Sequence, residues 1–64
     1  MFRVVYYDVA GNCFEAKDMG KENAMGWLEE LQNPFYMVTE IWVSKVKEDG
    51  SEALVDFWLK ENWI

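Results

Sequence analysis

Few residues in this chain could do chemistry, and their types rule out most of it. Histidine is absent, so there is no imidazole base and no Ser-His or Cys-His nucleophile pair. The one cysteine, Cys13, follows Gly11-Asn12 with no base beside it in the sequence to withdraw its proton. An inert thiol, buried or half-buried, is the expectation. Glu29 and Glu30 are consecutive, so on a helix they diverge by about 100° and do not form a poised acid pair. The run Lys47-Glu-Asp-Gly-Ser-Glu52 gathers acids around a glycine. It lacks the regular ligand spacing of a calcium loop and reads as a hairpin turn. Gly11 and Gly20 belong to no phosphate-binding pattern. No catalytic, cofactor-binding or metal-binding residue is expected, and the chain reads as a non-enzyme.

What remains is charge and aromatic surface. Twelve acids against six bases give a net charge of −6, which repels nucleic acid phosphates and anionic lipid. Tyr6 and Tyr7 have the type that stacks on bases in RNA-binding sheets. Such sheets need basic residues around the rings, and Arg3, Lys17, Lys45, Lys47 and Lys60 are outnumbered by acids. Direct nucleic acid and membrane binding are therefore disfavoured. An acidic domain suits a protein partner with a basic surface, including one that normally holds nucleic acid. A lone cysteine fits a reducing compartment. No apolar run approaches the ~18 residues of a membrane span, and MFRVVYYDVAG does not read as a signal peptide. A cytoplasmic location is expected.

The 64 residues suffice for a single small domain, residues 1–64, near the lower size limit for folding without staples. Four Trp, three Tyr and four Phe offset the small size by burying large areas. Residues 2–9 and 13–17 read as strands joined by a two-residue Gly11-Asn12 turn. That turn pairs Val9 with Phe14 and places Phe14 and Ala16 on the side of Val5 and Tyr7. Asp18 is expected to cap a helix that Gln32-Asn33-Pro34 stops. Ala24, Trp27, Leu28 and Leu31 form its apolar stripe. Met19, Glu22, Gly26, Glu29 and Glu30 take the opposite side, and an exposed Gly26 costs roughly 1 kcal/mol against Ala, tolerable or useful for a partner's close approach. Alternation returns at 36–46, and Glu48-Asp49-Gly50 reads as a three-residue hairpin loop.

The predicted fold is an α+β two-layer β-β-α-β-β sandwich. Its antiparallel four-stranded sheet has order 2-1-3-4, with one helix on one face. The last loop sets a register of Lys47 with Ser51, Val43 with Val55, and Ile41 with Phe57. Trp42 and Trp58 then point away from the helix as diagonal neighbours. Val46, Leu54, Tyr6 and Val4 extend this outer face, and Glu15, Glu40, Glu52 and Asp56 fringe it. Trp42, Trp58, Tyr6, Val46, Leu54, Glu40, Asp56 and Glu52 are thus the candidate protein-binding residues. The tail ending in Trp63-Ile64 is an alternative cover for the face, and a second copy of the chain is another. One helix over four strands is expected to leave little room for a cavity of ~300 Å³ or more.

The layout resembles that of many short domains encoded by phages and mobile elements, a likeness of organisation that no motif carries. The functional expectation is a small acidic protein-binding module. In its most concrete form it is an inhibitor that occludes a basic or nucleic-acid-binding surface of another protein, as an anti-defence or nucleic-acid-mimic factor does. The alternative is a structural homodimer or an accessory subunit of a larger complex.

Overall fold

In the computed structural model, which describes residues 1–60, strand β1 (Phe2–Asp8) pairs with β2 (Cys13–Met19), and helix α1 (Lys21–Glu30) follows. A 3-10 turn (Pro34–Tyr36) leads into β3 (Val38–Val46) and β4 (Glu52–Leu59). The antiparallel sheet has order β2-β1-β3-β4, and α1 packs over β1 and β3. This is the expected α+β architecture with one face of the sheet left open. Among the described residues no helix is long and apolar enough to cross a membrane. Trp63 and Ile64, named above as a cover for the outer face, lie outside the described residues.

The core follows from the stripe. Ala24, Leu28 and Leu31 of the helical segment are buried against Val4, Val38, Ile41 and Val43 of the two central strands. Trp27, the fourth residue of the stripe, stays partly exposed. Asp18 does not cap the helix. It lies in β2, where Lys17-Asp18 stand opposite Arg3, with a left-handed φ of 61°, a conformation that aspartate accepts more readily than most residues. The N-cap is Gly20, which offers no side-chain hydrogen bond. Beyond the helix, the Asn33 side chain accepts a 2.9 Å hydrogen bond from the Phe35 amide, and Pro34 begins the turn where its missing N–H costs nothing.

Both hairpin loops are tied down by an aspartate. The first holds three residues, Val9 to Gly11, not the two expected, because Asp8 pairs with Asn12 and Gly11 takes φ 84°. Asp8 rewards this longer loop by accepting from the Ala10 and Asn12 amides (2.9 Å each) and from the Asn12 side chain (3.1 Å). The second loop is as expected: Lys47 pairs with Ser51 and Gly50 has φ 89°. There Asp49 accepts from the Ser51 amide and hydroxyl. Hydrogen bonds, from the Asn12 side chain foremost for Asp8 and from the Ser51 hydroxyl for Asp49, hold both carboxyls below the ordinary value. A lowered folded-state pKa means stability present above the unfolded value of about 3.9 and lost as pH falls through the lowered one. Carboxyl carbon NMR titration is expected to place both midpoints below about 3.9. Midpoints at or above that value would show that the loop hydrogen bonds do not form in solution.

Candidate functional site

Three strand irregularities decide what the open face carries. Opposite β1, β3 has one extra residue, Thr39, whose hydroxyl donates to the Tyr7 carbonyl at 3.2 Å. Opposite Arg3, β2 has one extra residue. Opposite β3, β4 has one extra residue, Val55, so the pairing changes from Ser44–Leu54 to Val43–Asp56. Beyond that bulge Trp42 faces Phe57, and Ile41 faces Trp58. The expected pairs Val43–Val55 and Ile41–Phe57 therefore do not form. A bulge shifts facing by one residue because side chains alternate with period two.

The consequence is an exchange of side chains between the two faces. Trp42, Val46, Leu54, Glu40 and Glu52 lie on the open face, as expected. Trp58 pairs with buried Ile41 and packs against the core. Tyr6 also packs against the core, and Asp56 pairs with buried Val43. All three belong to the helix side. Val4, expected to extend the outer face, is wholly buried under the helix. The three-residue first loop also turns Phe14 and Ala16 to the helix side, where they pair with Tyr6 and Val4. Phe57, Leu59, Val5 and Tyr7 take their places outside.

The open face is built around a stack of Trp42 on Phe57, centroids 5.4 Å apart and planes 21° from parallel. Phe57 is 52% exposed, Leu54 56% and Leu59 45%, so large apolar groups in adjoining rows are left to water. Tyr7 sits opposite Cys13 on the outermost row, and the thiol beside it, with further carboxylate and burial effects, raises the tyrosine pKa. Cys13 is exposed, neither buried nor half-buried.

Electrostatics on this face differ from the expected acidic fringe. Arg3 reaches both Glu15 of β2 and Glu52 of β4, the latter at 3.1 Å. Ser44, paired with Arg3 on β3, is small enough to let the side chain cross the sheet. Hydrogen bonds to Glu15 first, then Glu52, hold the guanidinium more firmly charged. One arginine thus offsets one of the two carboxylate charges it bridges, and Glu40 lies in the central rows apart from it.

The helix side carries a second feature that the sequence was expected to lack. A groove of about 630 Å³ runs between α1 and the β1–β2 end of the sheet. Tyr6 lies at its base, stacked on Phe14 (5.1 Å) and tilted against Trp27 (6.1 Å). The signal for it lay in the residues already named: Gly26 and Trp27 are neighbours on α1, and both line it.

Among the described residues no group of His, Cys, Asp and Glu is arranged to hold a metal ion. The class defined by these features is a small α+β domain with one covered and one open sheet face. No family model, curated protein or solved structure matches the chain.

Proposed function

We propose that the protein is a small acidic protein-binding module that acts by occupying another protein's surface and performs no chemistry itself. The open sheet face is its contact surface, with Trp42 and Phe57 as anchors. The single observation that carries this reading is the stacked Trp42–Phe57 pair flanked by half-exposed Leu54 and Leu59. Contiguous aromatic and aliphatic surface of this kind costs solubility, and proteins bury it on binding. A net charge of −6 favours a basic partner and speeds encounter with it. In its sharpest form the partner surface is one that normally holds nucleic acid, and the module is an inhibitor of the anti-defence type. Of the acids assigned to that contact, Glu40 and Glu52 stay on the face, and Asp56 does not.

A second reading is favoured by Arg3. An open face whose own arginine offsets part of its acid charge repels a like surface less, so two copies can stack sheet on sheet. One substitution separates the readings. Arg3→Gln removes the cation set against Glu15 and Glu52, and at a partly exposed ion pair it changes stability by only about 0–1 kcal/mol. A homodimer then weakens through repulsion between like faces, while a complex with a basic partner tightens. Solution mass by light scattering across a wide concentration range, for wild type and Arg3→Gln, reads the first effect. A wild type that stays monomeric at high micromolar concentration removes the homodimer. A dimer that Arg3→Gln splits removes the free binding face that the inhibitor needs.

A further inference from the structure

We propose that the groove on the helix side is a second binding site, for an arginine side chain presented on a segment of a partner protein. It lies on the opposite side of the sheet from Trp42 and Phe57 and does not rest on the reading given for that face. Three features converge on it.

The first is its base. Tyr6, Phe14 and Trp27 form a continuous aromatic surface. Ring faces attract cations, and the planar guanidinium stacks on them better than a lysine ammonium does.

The second is its rim. Glu22, Gly26 and Glu30 line the groove at successive helical turns, and Asp8 stands at the strand end. No lysine or arginine lines it among the described residues. Glu30 is held in place by the Tyr36 hydroxyl, which donates to it at 3.0 Å. That hydrogen bond is also the chief cause of the raised tyrosine pKa. Glu22 and Glu30 are eight residues apart, about 12 Å along the axis, so a guanidinium entering between them is within reach of a carboxylate on either side.

The third is the gap. Gly26 sits midway on this acidic rail, and a β-carbon placed there meets nothing within 4 Å. Glycine at an exposed mid-helix position costs about 1 kcal/mol against alanine. Alanine fits the space, so packing within the fold does not require the glycine. Its visible effect is to keep the wall between two carboxylates low enough for a side chain to cross. The groove volume of about 630 Å³ exceeds one arginine and leaves room for flanking residues, which is why a segment is the fitting occupant.

The test is an NMR titration of the full chain with N-acetyl-arginine methylamide and, in parallel, its uncharged isostere N-acetyl-citrulline methylamide. The arginine compound is expected to shift the Gly26 amide and Trp27 indole signals saturably, with a dissociation constant of about 1–10 mM. The citrulline compound should bind at least about tenfold more weakly, the equivalent of one charge-assisted contact. Glu22→Gln and Glu30→Gln, both on the exposed rim, should each weaken arginine binding about threefold or more. Gly26→Leu should abolish it while far-UV circular dichroism stays unchanged and thermal stability rises. Equal binding of the two compounds would overturn the proposal, as would shifts confined to Trp42 and Phe57. So would an undiminished affinity in Gly26→Leu, or no shift at about 50 mM arginine compound, well above the expected constant.

Discussion

Ile41→Ala is expected to leave the protein largely unfolded at room temperature. Ile41 is wholly buried in the central strand, between Tyr6 on one side and Trp58 on the other. Truncating a buried isoleucine removes its transfer free energy and leaves a cavity, together about 2–5 kcal/mol. A domain of this size has a total stability of only about 3–10 kcal/mol, with the lower part of that range normal for cores this small. The loss is therefore comparable to the whole. Ile41→Val removes one methylene and should cost about 0.5–1.5 kcal/mol, leaving a cooperative transition at lower denaturant. Urea unfolding followed by circular dichroism distinguishes the two. If Ile41→Ala unfolds at the wild-type midpoint, the core is not centred where α1 crosses β3.

The second large effect separates the two tryptophans of the last hairpin. Trp42→Ala should leave folding nearly intact, because the ring is partly exposed and rests on Phe57. Its cost should appear in binding: a central aromatic anchor is worth 2 kcal/mol or more, roughly thirtyfold in affinity or beyond. Trp58→Ala should do the reverse. Trp58 is partly buried against the core, so about 2 kcal/mol of stability should go, by lost packing, with the partner surface untouched. Paired measurements of urea midpoint and partner affinity, or of dimer mass if the partner is a second copy, test the contrast. Binding lost in Trp58→Ala at unchanged stability would mean that the strand runs in the unbulged register.

Most of the architecture is legible in the residues. β-branched and aromatic runs mark the four strands, the Ala24–Leu28–Leu31 stripe marks the helix, and Glu48-Asp49-Gly50 fixes the last loop. The facing of individual side chains is less legible, for a physical reason. After the loop, β4 presents Leu54, Asp56 and Trp58 in one alternation and Val55, Phe57 and Leu59 in the other. Both rows end apolar, so hydrophobic alternation does not choose between them. The choice is made across the sheet, where Ile41 and Val43 must meet the helix while Trp42 stacks on Phe57. Asp8 falls inside the β-branched and aromatic run of residues 2–9, yet aspartate followed four residues later by Asn12 signals the longer, side-chain-capped loop. That single difference places Phe14 on the helix side of the sheet, beside Tyr6 at the base of the groove. Gly26 was visible as a costly residue from the outset, but its position between Glu22 and Glu30 acquires meaning only when Trp27 and Tyr6 are seen beneath it.

Val55 behaves as an insertion accommodated in place. With it struck out, the last strand alternates without interruption: Leu54 outward, Asp56 inward, Phe57 outward, Trp58 inward, Leu59 outward, and each keeps the partner it now has. A chain one residue shorter at this point would therefore keep both its core and its contact surface. A deletion on either side, at Leu54 or Asp56, would instead force a choice between losing a named side chain and recruiting Val55 in its stead. Length variation in this strand is thus cheap at one position, and that position lies midway between the loop and the tryptophan pair.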